Sequence, residues 1–257
     1  HVNDAQSKLN RTTVRKIVQP ATIGEIRQAI RLAEKKGLAI STAGGRHSMG
    51  GQQFGHDTIL IDMSRFKAVA DFDARRGQIE VQSGIQWPDL IEFLQKNQQG
   101  ANQPWAIRQK QTGVDNVSIG GSLASNIHGR GLQLPPFIGD IESFVLLDAN
   151  GKLRTCSRRE NPELFSLAIG GYGLFGIVVT VTLKLVPRTK VERIVELIEV
   201  RDLLPRIEER LSDGFVYGDC QYSPDLTTEE PSHPGVFSCY RPVGLDEPVQ
   251  KSQKQLS

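Results

Sequence analysis

Cysteine is scarce in this sequence, with three in 257 residues, at positions 156, 220 and 239. That is too few, and too scattered, for a disulfide framework or a zinc knuckle, so no metal site is expected. Three unpaired thiols favour a reducing compartment, and a cytoplasmic location is expected. No apolar run approaches the roughly 18 residues of a membrane-spanning helix, so no integral membrane segment is expected. An excess of one charge is missing too: 31 Lys and Arg face 29 Asp and Glu, a net +2. So slight an excess gives no support for a nucleic-acid footprint or a polybasic membrane patch. Internal repeats and long low-complexity stretches are absent. What is present is a 38% hydrophobic complement with 25 glycines, enough for a buried core. At roughly 100–200 residues per domain, the length implies one large domain or two small ones. The first residue is His1, so a missing or processed N-terminus, with a signal peptide already removed, is one expectation. The polar stretch 250–257 reads as a solvated tail or the point where a longer chain was cut.

Strand and helix signals alternate along the chain. Val14 to Val18 is extended and closed by Pro20. Thr22-Ile-Gly-Glu25 is a capping box, with Ile26, Ile30 and Ala33 following at helical spacing and Gly37 placed as a C-cap. Leu38–Thr42 is a second strand, and it delivers the chain into a glycine-rich loop. Further strands are expected at Thr58–Met63, Gln78–Ser83 and Ile141–Leu147, with a helix around 88–96 that starts on Pro88. Asp148-Ala-Asn-Gly151 is a hairpin turn returning through Lys152–Cys156. From Val179 onward, Val179, Val181, Leu183 and Leu185 alternate with Thr and Lys, as in a strand with one buried face. After Pro187 the texture changes to a charged, amphipathic strand and helix within 191–211. A strand at Tyr217–Tyr222 and a loop at 223–235 rich in Pro, Glu and Ser complete it.

Three segments could carry chemistry. The loop Ala43-Gly-Gly-Arg-His-Ser-Met-Gly-Gly51 lacks the Gly-Lys-Ser/Thr ending of a P-loop. Its successive amides can still form a nest for a pyrophosphate; read alone, it is a surface turn and His47 a solvated turn residue. In Ser118–Ser125 nearly every side chain is small, which suits either a flat ligand or a tightly packed helix. Gly171-Tyr-Gly-Leu-Phe-Gly176 matches G-x-G-x-x-G, but a strand pattern follows where the dinucleotide fingerprint requires a helix. It reads as a turn feeding a core strand, with glycines able to bring backbone near a ligand.

In this order, the three segments resemble the FAD-binding domain of the vanillyl-alcohol oxidase family, the PCMH-type flavoproteins, over residues 13–187. Arg46–Gly51 and Ser118–Gly129 are the specific parts. Within the family the likeness is nearest to sugar-lactone and alditol oxidases, and Asn126-Ile-His-Gly129 is similar to decaprenylphosphoryl-ribose oxidases. The resemblance implies an α+β fold, a two-subdomain FAD-binding domain with mixed sheets flanked by helices. Residues 188–257 would then begin a substrate or cap domain. It also implies an oxidoreductase that removes a hydride from the CH–OH of a sugar, sugar lactone or polyol, with oxygen or another acceptor taking the electrons. FAD pyrophosphate contacts would come from Ala43, Gly44, Gly45, Arg46, His47 and Ser48, with His47 matching the family's point of covalent flavin attachment. Gly113, Ser118, Gly121, Ser125 and Asn126 match a second FAD-contacting loop, Ile127 and His128 would lie beside the isoalloxazine, and Ile177 matches a contact at the adenine end. His128 could polarise the flavin or substrate, or simply pack inside the domain. Arg130 and Lys152 are expected in solvent, and Asp115 and Asn116 to shape the turn before Ser118. No general base is identified. Other readings are a reductase of the UDP-N-acetylenolpyruvoylglucosamine type and a non-catalytic flavin-binding subunit.

Overall fold

The computed structural model describes residues 1–222, 234–244 and 246–248. They form two compact units, one of residues 1–129 with 135–187 and one of residues 130–134 with 188 onward.

The first unit opens with strand β1 (Lys16–Val18), helix α1 (Ile23–Lys36), β2 (Ile40–Ala43) and β3 (Ile59–Asp62). β1 and β2 flank β3, both parallel to it. The helix begins where the capping box places it: Thr22 Oγ1 accepts from the Glu25 amide at 3.2 Å. The Glu25 carboxylate reaches one residue farther back than the motif predicts, to the Ala21 amide at 2.7 Å. Gly37 ends the helix in the left-handed region at φ 61°, a conformation that a residue without Cβ adopts at little cost.

The chain continues through β4 (Val69–Asp73), β5 (Gln78–Gln82), α2 (Trp87–Lys96), β6 (Trp105–Ala106) and the short α3 (Ile119–Ala124). It then runs through β7 (Ile141–Leu147), β8 (Leu153–Ser157), α4 (Pro162–Ala168), β9 (Ile177–Lys184) and β10 (Val186–Pro187). A five-stranded antiparallel sheet runs in the order β4-β5-β9-β7-β8, and β6 pairs with β10. Mixed α+β architecture is therefore observed, with a parallel and an antiparallel sheet. On β9 the predicted alternation holds, with Ile177, Val179, Val181 and Leu183 buried. Two cores meet along that strand. Ile177 and Val179 join Ile26, Ile30 and Ile61 beneath α1. Val181 and Leu183 join Trp87, Leu90, Ile119, Leu123, Phe144 and Phe165 beneath α2, α3 and α4.

In the second unit, β11 (Lys190–Glu199), α5 (Leu203–Ser212), β12 (Tyr217–Tyr222) and β13 (Pro234–Val243) form a sheet in the order β11-β13-β12. Leu203, Ile207 and Phe215 pack with Ile194, Ile198 and Phe237. Residues 130–134 belong to this unit, and Arg130 is not a solvated side chain as its sequence setting implies. It pairs with Asp219 at 3.0 Å, both of them largely covered, because the Arg130 carbonyl is fixed by the Gly218 amide at 2.8 Å. The central strand β13 was not anticipated, although Val236–Tyr240 is rich in strand-forming residues. Most of the 223–235 loop expected there, and the 250–257 tail, lie outside the described residues.

All three cysteines are free. Among the described residues no helix is long and apolar enough to cross a membrane, and no His/Cys/Asp/Glu cluster could hold a metal ion.

Asp140, between α3 and β7, is 4% exposed. Burial pushes its carboxyl above the ordinary range, opposed by Arg108 at 3.4 Å. The folded state then holds a proton that the unfolded chain has already released, so stability falls as pH rises through that window. Asp140→Asn should gain thermal stability relative to the wild type as pH is raised from 4 to 7. Melting curves giving a pH-independent difference between the two proteins would contradict this.

Candidate functional site

The three glycine-bearing segments, far apart in sequence, line one cavity of about 590 Å³ in the first unit. That size suits a cofactor-scale ligand. Its first wall is the end of β2 and the loop after it, its second the turn before α3 and α3 itself, and its third the loop from α4 into β9.

Contact between the first two walls is very close. A Cβ built on Gly44 would lie 2.0 Å from the Ser118 hydroxyl, and one on Gly45 would lie 2.2 Å from the Asn116 carbonyl oxygen. Neither position has room for a Cβ as the chain stands, so the loop lies against the Ser118 side chain and the Asn116 backbone only because both residues are glycine. Ser118 is buried and caps α3, its hydroxyl accepting from the Gly121 amide at 3.2 Å. α3 is anchored from beneath, with the Ile119 amide on the Ile85 carbonyl (2.8 Å) and the Gly120 amide on the Ser83 carbonyl (2.7 Å). The third wall is stitched to the second: the Gly170 and Tyr172 amides donate to the Leu123 and Ala124 carbonyls, each at 3.0 Å.

Two residues of the walls hold left-handed backbone without being glycine, Arg46 at φ 59° and Tyr172 at φ 51°. Such a conformation costs roughly 1–2 kcal/mol per residue and persists where surrounding contacts over-determine it. Arg46 is held by its guanidinium, which pairs with Asp62 at the end of β3. Asp62 also accepts from the Gln19 amide group at 3.1 Å. Burial pushes the Asp62 carboxyl up, but the hydroxyl and amide of Ser64 and the Arg46 guanidinium outweigh it and hold the group below the ordinary range. The one arginine of the loop is thus engaged by a buried carboxylate.

Of the residues expected at the site, Ala43, Gly44, Gly45, Arg46, His47, Ser48, Ser118, Gly121, Ser125, Ile127 and Ile177 line the cavity. Gly113, Asn126 and His128 do not. Gly113 (φ 85°) turns the chain ahead of Val114. The Asn126 side chain accepts from the Ile138 amide at 3.0 Å. His128 is exposed, with Nδ1 3.1 Å from the Gly129 carbonyl. Between Asp115 and Asn116, expected to shape the turn, Asp115 pairs with Lys110 and Asn116 supplies the carbonyl facing Gly45. Tyr172–Val178, Gln52–Gly55 and Gln111 also line the cavity. The glycines of 171–176 were a signal for the first of these. Gln111 gives none in the sequence; it is placed by the buried Trp87, whose indole N–H donates to it at 3.0 Å and to Ser122 at 3.2 Å.

The cavity passes a test of fit for a dinucleotide on two features. A glycine cradle that a single Cβ would fill lies along one wall. Beside it, His47 Nδ1 is buried with no hydrogen-bond partner among the described residues, a state in which few native polar atoms are left.

Residues 14–157 match a family model described as an FAD binding domain. An uncharacterized oxidoreductase of the fasciation locus of Rhodococcoides fascians is 30% identical over 169 residues, 66% of this chain and 37% of its own length. L-gulonolactone oxidase of Bos taurus is 27% identical over 193 residues, 75% of this chain and 42% of that protein. Cytokinin dehydrogenase 6 of Oryza sativa subsp. japonica is 28% identical over 244 residues, 86% of this chain and 44% of that protein. The chain spans about two fifths of the length of these curated relatives.

Asp62→Asn removes the charge that holds Arg46, and should lower stability at pH 7 by about 1.5–3 kcal/mol. Because the Asp62 carboxyl is depressed in the folded state, its contribution is present above the ordinary carboxylate range and lost as pH falls through the folded value. Denaturant unfolding of the two proteins should therefore converge at strongly acid pH, and a gap independent of pH would refute the role given to this pair. Gly45→Ala, in direct collision with the Asn116 carbonyl, should be the more damaging change to the loop.

Proposed function

The chain belongs to the family of flavoproteins that carry this FAD binding domain, of the PCMH or vanillyl-alcohol oxidase type, and on that premise we propose that its cavity holds FAD and that it forms the cofactor-binding part of an oxidoreductase acting on a CH–OH group of a sugar, sugar lactone or polyol. The observation that carries the reading is the convergence of the three glycine-bearing segments on a single cavity beside the orphaned ring nitrogen of His47.

Each wall has a distinct task in this reading. Backbone amides of residues 43–48 hold the pyrophosphate; with Arg46 engaged by Asp62, peptide N–H groups rather than a cation meet the negative charge. Ser118, Gly121, Ser125 and Ile127 form the facing wall, and Ile177 would hold the adenine end. His47 would be the residue that tethers the flavin covalently. When bound, FAD supplies a two-electron acceptor for the hydride of the substrate carbon. The protein's contribution is to fix the cofactor's orientation and to keep water from the face where substrate would stand. His128, exposed and outside the cavity lining, is assigned the structural rather than the polarising role. The base that takes the substrate hydroxyl proton is assigned to the substrate-side part of the whole protein, and oxygen or another acceptor completes the turnover. Because a cytokinin dehydrogenase aligns over more of this chain than the L-gulonolactone oxidase does, a cytokinin donor is the second reading.

The test is an absorption spectrum before and after acid precipitation. Flavin absorbance should stay with the pellet in the wild type and move to the supernatant in His47→Ala. Anaerobic mixing with a panel of sugar lactones, polyols and a cytokinin should then bleach the flavin of the whole protein with one class. A protein that neither carries nor takes up FAD overturns the reading. A whole protein that carries it, yet is reduced by no member of the panel, overturns the oxidoreductase assignment while leaving the FAD site.

A further inference from the structure

The residues ahead of β1 are not a loose end. Val2 and Thr12 exchange two backbone hydrogen bonds of 2.9 Å, closing the stretch into a loop. Val2 is buried with Ala43 and Leu60, the first of which leads into the glycine-rich loop. At the loop's centre Asp4 is 2% exposed. Its carboxylate accepts from the Ser7 amide, the Ser7 hydroxyl (2.9 Å), the Lys8 amide (3.1 Å) and the Asn10 side-chain amide (2.9 Å). Burial pushes this carboxyl up, but the bonds from Asn10, Ser7 and Lys8 outweigh it and hold the group far below the ordinary range, so it stays ionised.

From this knot two bonds reach the glycine-rich loop. The Ala5 amide donates to the carbonyl of Arg46 at 2.8 Å, and Arg46 is the residue held in left-handed backbone between Gly45 and His47. Asn10 Nδ2, already bound to Asp4, also donates to the Met49 carbonyl at 2.6 Å. The fit continues at Gly51, where a Cβ would come within 3.0–3.1 Å of Asn10. Asp4 and Asn10 do not line the cavity. They grip the loop by its carbonyls and not by its amides.

We propose that residues 2–12 are a strap, with Asp4 as its positioning residue, that holds the 44–51 loop in the conformation that binds the dinucleotide pyrophosphate. The inference rests on the reading of the cavity as an FAD site. Glycines at 44, 45, 50 and 51 give the loop wide conformational freedom, and affinity falls in proportion to the fraction of molecules whose loop is competent. The strap raises that fraction through two carbonyls on the outer side of the wall.

The experiment is titration of apoprotein with FAD, followed by flavin fluorescence, in a His47→Ala background where every bond to flavin is reversible. Asp4→Ala and Asn10→Ala are compared with that parent, and Asp4→Asn serves as the conservative variant. The apoprotein melting midpoint is recorded for each. Asp4→Ala should raise the Kd about tenfold or more, the effect of leaving one molecule in ten competent. Asn10→Ala should raise it too, with its apoprotein midpoint near that of the parent, and Asp4→Asn should lie between Asp4→Ala and the parent. If Asp4→Ala does not fold, Asn10→Ala decides alone. An unchanged Kd in the folded variants overturns the strap while the FAD site stands. A raised Kd matched by a large fall in the apoprotein midpoint of Asn10→Ala assigns the segment a general structural role, and also overturns it. If neither parent nor wild type takes up FAD, the reading of the cavity fails and the strap with it.

Discussion

The site depends on how closely two stretches of the chain approach each other. Gly44 and Gly45 lie against the Ser118 hydroxyl and the Asn116 carbonyl at distances that leave no room for one methyl group. Much else in the first unit serves that approach. β2 carries the chain to Ala43 in register with β3, and α3 is held by its cap on Ser118 and by the carbonyls of Ser83 and Ile85. The third wall then has a fixed edge to bind to, through Leu123 and Ala124. A substitution that separates the first two walls would therefore disturb all three.

Charge and strain are handled together at Arg46. A residue in left-handed backbone needs support from several directions, and Arg46 has it from Asp62 on its side chain and Ala5 on its carbonyl. The pairing also removes a free cation from the loop. On the proposed reading this leaves the pyrophosphate to neutral peptide donors, which are fixed in place and need no reorganisation as the ligand arrives. The loop combines glycines that permit close contact with flanking groups that remove the freedom glycines bring.

Much of the fold was legible where local signals are strong. The capping box at Thr22, the alternation along β9 and the apolar run of β7 have periodicities that packing reinforces, and Tyr217–Tyr222 is a strand as its pattern implies. β13 was missed because Pro234-Gly235 and Pro242 bracket its short strand-forming stretch Val236–Tyr240 with turn residues; it is carried past them by pairing with β11 and β12 on either side. Arg130 was misplaced because a charged residue among glycines reads as solvent-facing, while its partner Asp219 lies 89 residues away. At the site, each glycine-bearing segment was visible but ambiguous alone. Gln111, the grip of Asn10 on Met49 and the convergence of the three walls are tertiary facts with no local trace. Identification of FAD came from the likeness of the segments to a family, not from their composition.

The central claim is that one dinucleotide occupies the cavity formed by these three walls. Hydrogen exchange of the backbone amides, measured on the His47→Ala apoprotein with and without saturating FAD, tests it most directly. The account predicts added protection in 43–55, 117–127 and 172–178 together, with little change in the second unit. Protection confined to one of the three segments, or centred elsewhere in the chain, would contradict it.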